Sequence, residues 1–456
     1  MRREEMERYE LSQDLARDIL AQAKKKGATG GDVVMAESDS FFVTVRMGEV
    51  ENISQAGEKR LGLRLFLDNG SASASTSDIS RLSIERLVED TIQMTRATAQ
   101  DPFNGLPPAD QLVQRIPDLD LLDEGARSVA VDEKIRMALD TERAALGFDA
   151  RVTNSEGAEF SNAFGRVIYA SSHGFSGEYR GSNFGFSVAP VASQNGLMQR
   201  DYWYTASRKF DRLETPNSVG EKAARRVLRR LGARKIKTCD VPVVLEPEIA
   251  GSLLRHLSSA LSGYSLYKGA SFLIGKLGTK IASDLVTVID DGTIPGALGS
   301  RPFDSEGLPV RKKNVVENGM LQSYLLDTYS GKKLGMASTG NASRSVGEPP
   351  GVAPMNLFLA ASSHSPEAII RSVKQGLYVT ELIGFGVNLV TGDYSRGAAG
   401  LWIEDGELAY PVEEVTIAGN LREMFQNIES VGNDLELRGR IAAPTIKISR
   451  MIVAGN

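Results

Sequence analysis

Four short turns of one chemical kind recur along the chain, each between runs of β-prone residues. They are Asp68-Asn69-Gly70, Asp290-Asp291-Gly292, Glu317-Asn318-Gly319 and Glu404-Asp405-Gly406. A tight hairpin loop needs positive φ, which Asn, Asp and Gly adopt at little cost. A turn of this type returns the chain beside itself, so antiparallel sheet is the expected framework. Residues 32–37, 40–47, 50–54 and 61–67 read as short strands, and 71–76 returns after the first turn. Strand patterns resume over 151–207, with Asn154-Ser155-Glu156-Gly157 as a turn.

Between these runs the apolar period changes to that of helices. Residues 12–26 carry Leu15, Ile19, Leu20 and Ala23 on one face, with Ser12 as cap and Gly27 as stop. Further helices are expected over 83–99, 131–146 with Asp132 as cap and Gly147 at its end, and 218–231. Near Lys237 the character shifts. Residues 241–245 form an apolar β-prone run, and Pro247 opens a helix of about fourteen residues. Beyond Ser265 strands and turns dominate, except for a helix over 365–375 with Ser365, Pro366 and Glu367 at its start. The expected fold class is therefore α+β. Residues 1–237 form an N-terminal domain of helices on antiparallel sheet. Residues 238–456 form a mainly antiparallel β domain, barrel-like or a folded sheet.

Composition removes several functions. The net charge of -5 gives no global attraction to nucleic acid or anionic membrane. No apolar run approaches the roughly 18 residues of a membrane-spanning helix. Residues 1–8 are charged and lead into no apolar segment, so no secretory signal is expected. Cys239 is the sole cysteine, which excludes an internal disulfide and a cysteine-rich zinc site and leaves a cytoplasmic location as the expectation. It precedes an apolar strand and reads as a small packed residue. The three histidines, His173, His256 and His364, are far apart, so no helix carries a histidine pair at metal-binding spacing.

Partial motifs do not complete. Gly263-Tyr264-Ser265-Leu266-Tyr267 lacks the closing glycine of a nucleophile elbow, and Gly384-Phe385-Gly386 lacks the third glycine of a dinucleotide fingerprint. Both read as sheet or turn glycines. Asp290-Asp291 reads as turn chemistry, and Glu413-Glu414 as neighbours on opposite strand faces. A basic run, Arg225, Arg226, Arg229, Arg230, Arg234, Lys235 and Lys237, admits a nucleic-acid footprint. The preferred reading is a solvated helix face, opposite Ala224, Val227, Leu228 and Leu231 and without interleaved aromatics.

A series of strings in the second half carries a resemblance. In order they are Val288-Ile289-Asp290-Asp291-Gly292-Thr293, Asp304-Ser305-Glu306-Gly307, Glu317-Asn318-Gly319-Met320-Leu321 and Ser338-Thr339-Gly340-Asn341-Ala342. Residues 392–400, 410–420 and Val431-Gly432-Asn433-Asp434-Leu435 follow. The first half adds residues 48–51 and 198–202. In this order and spacing the chain resembles the TldD/PmbA peptidase family, and its PmbA (TldE) branch in particular. The resemblance covers nearly the whole chain.

The family implies an α+β first domain and a largely antiparallel second one. It also implies a cytoplasmic protease complex of two branches acting on unfolded peptides, among them peptide-antibiotic precursors and an antitoxin. TldD-like members carry His-Glu, three residues, then His on one helix, and a C-terminal cysteine completes a metal site. Here the corresponding helix places Arg255 and Ala260 at the histidine positions and His256 at the glutamate position. Residues 435–444 hold no cysteine. The resemblance thus implies no catalytic residue, metal or other cofactor in this chain, with zinc expected only in a TldD-like catalytic partner. Candidate substrate-binding residues are Arg255, His256, Gly340, Asn341, Ala342 and Arg344. Gly340 would allow close backbone approach, Asn341 would bond a peptide backbone and Arg344 would pair a carboxylate. A second reading stays open: a stand-alone, homodimeric peptide hydrolase or peptide-binding protein with an unrecognised site. A nucleic-acid-linked regulator, suggested by the basic run and the family's association with gyrase control, is the weakest; no membrane partner is expected.

Overall fold

Seven strands make the sheet of the first half in the computed structural model, which describes residues 9–455. They are β1 (Gly30–Arg46), β2 (Glu49–Leu67), β3 (Gly70–Thr76), β4 (Val152–Ser171), β5 (Ser176–Gln194), β6 (Leu197–Arg200) and β7 (Trp203–Ser207). All pairings are antiparallel, in the order β3-β2-β1-β4-β5-β6, with β7 also on β5. The expected short strands fuse: residues 32–37 and 40–47 are both β1, and 50–54 and 61–67 are both β2. The polar interval Ser38-Asp39-Ser40 does not break the strand, because β2 and β4 flank it and continue the ladder. Residues 154–157 are not a turn. They are an irregularity inside β4, where the register against β5 shifts and Gly157 takes φ +120°. The segment 1–8, read as lacking a signal, lies outside the described residues.

Strand parity decides what each face of this sheet does. Val33, Met35, Phe41 and Val43 of β1 face the helices. The first two pack with α1 (Gln13–Lys25) and α2 (Arg81–Ala97), the last two with α3 (Val131–Leu146) and α4 (Pro216–Leu228). Ser12 caps α1 as expected, accepting from Leu15 N at 3.1 Å. The cap of α3 is Ala130 rather than Asp132, which sits in the first turn where a carboxylate meets the positive helix end.

The even residues of β1, Asp32 and Val34, face the second half. That half runs through β8 (Cys239–Leu245), α5 (Pro247–Leu261), α6 (Gly263–Tyr267), β9 (Val288–Asp291), β10 (Lys312–Glu317), β11 (Met320–Leu321), α7 (Thr328–Leu334), β12 (Ala342–Ser343), β13 (Gly351–Val352) and β14 (Leu357–Leu359). It continues with α8 (Pro366–Arg371), β15 (Gln375–Ile383), β16 (Asp393–Glu404), β17 (Glu407–Asn420), α9 (Leu421–Gln426), β18 (Ile428–Val431), β19 (Ile441–Ala442) and β20 (Ile446–Ala454). Strands β17, β16, β15, β8 and β20 pair in sequence, and β20 returns to β17. The ring is closed, so these five strands form a small barrel with no free edge among them. A second sheet, β11-β10-β9-β14-β19, stands beside it. Leu253, Leu254, Leu257 and Leu261 of α5 join the same apolar core as Val243, Leu245, Leu377 and Val379 of the barrel.

Three of the four turn signals form hairpins, at 68–70, 317–319 and 404–406, with Asp68, Asn318 and Asp405 at positive φ. Asp290-Asp291-Gly292 does not. Asp290 is a fully buried strand residue bonded to Lys313, Asn341 and the Met355 N–H, and Gly292 carries no positive φ. The glycine of the partial nucleophile motif, Gly263, opens α6 rather than a turn.

Asp32 joins the halves. Arg344 Nη1 donates to its Oδ1 at 2.7 Å, and Arg64 Nε to its Oδ2 at 3.1 Å. Burial would raise the Asp32 pKa, but the Arg344 and Arg64 guanidiniums outweigh it and hold the carboxyl below its ordinary value. Tyr169, Phe175, Tyr179 and Phe303 pack beside it, Phe175 and Phe303 with centroids 5.0 Å apart. Removing one member of a buried ion pair strands the others, at a cost of about 3–5 kcal/mol. Asp32→Ala is therefore expected to lower unfolding stability by about that amount near neutral pH, read by urea titration. A depressed carboxyl contributes stability above its unfolded value and loses it as pH falls toward the folded one. The gap between wild type and variant should accordingly narrow below the ordinary value of 3.8. An unchanged midpoint would mean that the halves do not depend on this contact.

Candidate functional site

Helix α5 is amphipathic, and its outer face is polar. Its leucines face the barrel, while Glu248, Gly251 and Arg255, spaced i, i+3 and i+7, line a cavity of about 700 Å³. The opposite wall comes from the first half: Trp203 and Tyr204 of β7, and Lys222, Arg225 and Arg226 of α4. Ala353 and Pro354 and the segment from Asp434 to Ala443 complete it. Strand β19 is last in its sheet, and its residues Ile441 and Ala442 lie along the cavity.

The walls are held by paired charges. Glu246, the residue before α5, is 3% exposed and accepts from Arg226 at 2.7 Å and Arg229 at 2.9 Å. Arg226 also reaches Asp201 at 3.2 Å. Burial works against its charge, yet Glu246 and Asp201 prevail and raise its pKa. Arg438 lies over the Trp203 ring at 4.3 Å, with Glu214 at 3.5 Å and Glu248 at 3.7 Å. The Tyr204 hydroxyl donates to Glu248 at 3.2 Å, and burial together with that carboxylate pushes the phenol pKa up. Arg255 and Arg440 line the same cavity, and among the described residues neither makes an ion pair.

The structure separates the six expected site residues. Arg255 is exposed in the cavity. His256, the next residue on the helix, turns away: its ring meets Tyr394 edge-on at 6.0 Å, and its Nε2 is buried without a partner. Burial, then Arg396 and Arg255, lower its pKa. Gly340 approaches a backbone closely, but that backbone is its own chain: an added Cβ would stand 2.5 Å from the Pro309 oxygen, at φ +71°. Asn341 is fully buried. Its Nδ2 donates to Asp290 and Ala353, and its Oδ1 accepts from Lys313 and Thr339, so no polar group is left for a peptide. It positions Ala353, which does line the cavity. Ala342 is buried in β12, and Arg344 spends Nη1 on Asp32 while its Nε and Nη2 are buried without a partner beside a second cavity.

Trp203, Glu246, Glu248 and Arg438 line the cavity and belong to no motif in the sequence. The aromatic Tyr202-Trp203-Tyr204 run was a legible signal, whereas the carboxylates look ordinary until the chain folds. The basic run is a solvated face only in part: Arg225, Arg234, Lys235 and Lys237 are exposed, whereas Arg226, Arg229 and Arg230 are half-buried in ion pairs. Arg225 pairs with Glu221, Arg226 and Arg229 with Glu246, Arg230 with Glu381 and Lys235 with Glu414, and Arg234 stacks on Tyr410.

Zinc needs three or four converging donors. Among the described residues no three of His, Cys, Asp and Glu stand so as to hold a metal. At α5 the cavity-facing side chain is a guanidinium, which has no lone pair to give, and Ala260 is buried. The donor set does not fit the ion.

Known proteins match this chain along most of its length. Residues 31–95, 124–231 and 238–455 match the first, central and C-terminal domains of PmbA/TldA metallopeptidases. The chain is 39% identical to the metalloprotease PmbA of Escherichia coli O157:H7, over 96% of this chain and 94% of that one. It is 27% identical to a TldD homolog of Haemophilus influenzae, over 72% and 73%. A crystal structure of a candidate modulator of DNA gyrase from Bacteroides thetaiotaomicron superposes with a TM-score of 0.91 at 30% identity, covering 97% of this chain and 98% of that one. TldE of Thermococcus kodakarensis shares the fold, with a TM-score of 0.86 at 23% identity over 97% and 99%.

Pairing of the basic run sets an expectation for nucleic acid. Titrated with duplex DNA at physiological salt, the chain should bind no more tightly than the roughly micromolar non-specific range. Tighter, salt-dependent binding would mean that these ion pairs open for phosphate.

Proposed function

This chain belongs to the PmbA/TldD metallopeptidase family, and from that membership we propose that it is the substrate-shaping, non-catalytic subunit of a two-chain protease. The partner is a TldD-like chain that carries zinc, and the substrate is an unfolded peptide, such as a peptide-antibiotic precursor or an antitoxin. The observation that carries this reading is Arg255. It occupies the cavity-facing position of α5, where a metal-binding member would present a ligand, and it offers a fixed positive charge instead. A chain so built is suited to hold a substrate rather than to activate water.

The cavity supports the same reading. It combines a strand end at Ile441–Ala442, where an extended backbone finds hydrogen-bonding groups, with an aromatic wall at Trp203 and Tyr204. Among the described residues no helix is long and apolar enough to cross a membrane, and the reading assigns the complex to the cytoplasm.

A peptidase assay tests it. The purified chain should be inert on an unfolded polypeptide and hold no stoichiometric metal, and activity should appear when a TldD-like chain is added. Cleavage by this chain alone, with no partner, would overturn the reading in favour of a stand-alone hydrolase.

A further inference from the structure

Arg440 belongs to two cavities. It lines the one described above and a second of about 620 Å³, whose walls include Tyr179, Phe303, Ser343, Arg301 and Arg344. Its backbone is fixed where the chain enters β19, since its carbonyl accepts from Leu357 N at 2.8 Å. Arg301, from the loop after β9, lines the second cavity together with Arg440, and the two like charges act on each other. Arg208 adds a third charge nearby, but its donors are spent on the carbonyls of Ala297, Leu298, Ser300 and Ser182.

The acids around the second cavity do not neutralise this group. Asp304 is 1% exposed and accepts three backbone N–H bonds, from Glu306, Leu308 and Ala342. It lies within electrostatic reach of Arg301 but makes no ion pair with it. Glu348 is exposed on the rim. Among the described residues neither Arg301 nor Arg440 has an ion-pair partner. Arg440 is exposed and Arg301 half-buried, so both guanidiniums keep free donors in the second cavity, and their like charges make it a site of positive potential that an anion would complete. Their planar forks match an oxyanion with two in-plane oxygens, and the aromatic walls accept the apolar part of the residue that bears it.

We propose that Arg440 and Arg301 form an anion subsite between the two cavities that takes a carboxylate of an extended peptide lying in the first. This rests on the peptide-binding reading above and adds a substrate class to it: peptides with a carboxylate, at the chain end or on a side chain, at a set distance from the segment against β19.

The test is binding, read by fluorescence anisotropy on the full-length chain with three labelled peptides of one unstructured sequence free of Asp and Glu. One ends in a free carboxylate, one in an amide, and one is the amide with a single internal Glu. Wild type should bind at least one carboxylate peptide about tenfold more tightly than the plain amide. The contrast between the first and third peptides tells chain end from side chain. In Arg440→Gln, and separately in Arg301→Gln, the three should bind alike. Equal affinity of wild type for all three overturns the subsite while leaving peptide binding intact. A preference that survives both substitutions also overturns it. Absence of binding by every peptide, with and without the TldD-like partner, overturns the peptide reading itself. Inorganic phosphate should weaken the carboxylate peptides and not the amide; a site that takes phosphate but discriminates no peptide is an ion site, and the peptide assignment falls.

Discussion

Two buried carboxylates hold the halves of this molecule together, and the position of the cavity depends on both. Asp32 on β1 binds Arg64 from its own sheet and Arg344 from the second half. Glu246 at the end of β8 binds Arg226 and Arg229, both from the end of α4. In each case the two carboxylate oxygens are taken by two different arginines, and at least one bond crosses between halves. An apolar joint would tolerate sliding, because dispersion contacts have little direction. A charge-assisted hydrogen bond in a dry setting does not, since a small displacement leaves a buried charge unpaired. The crossing contacts therefore fix the Trp203 wall against α5 and the second cavity against β1.

Much of the framework was legible because it is local. A hairpin at 404–406 needs only Asp405 and Gly406 at positive φ, and both stand next to each other in the chain. The amphipathic stripe of α1 and its Ser12 cap lie within a few residues. Non-local facts were not legible. Asp290-Asp291-Gly292 has the letters of a turn, yet Asp290 is claimed by Lys313, Asn341 and Met355. The fusion of residues 32–37 and 40–47 into β1 follows from strands on either side of it, which the polar residues between them could not announce.

The site was less legible than the fold for the same reason. Asp32 and Arg344 are 312 positions apart, so an arginine that looks free in sequence is bound through Nη1 in the structure. Part of the basic run is claimed in the same way, because Glu246 and Glu381, which bind Arg226, Arg229 and Arg230, come from other elements. The resemblance directed attention to α5, whose Arg255 lines the cavity, and it joined Asn341 to a peptide role that its saturated hydrogen bonding does not support. Asn341 acts at one remove, by holding Ala353 in the cavity wall.

Sorting the cations by what they already bind then separates scaffold from recognition. Arg226, Arg229 and Arg438 are occupied, and their carboxylates are buried or stacked close by, so a ligand that displaced them would first have to expose Glu246 or Glu248. Arg255 and Arg440 demand no such displacement. Both are exposed to the cavity, so an incoming carboxylate meets free donors and gains the charge-assisted bond without first breaking an ion pair. On the proposed reading, a cavity with its paired arginines in the walls and its unpaired ones facing the space would favour anionic ligands. The proposed reading then gives Arg255 one role for two facts: a guanidinium on α5 cannot serve as a metal ligand, and it presents a fixed positive charge to the cavity.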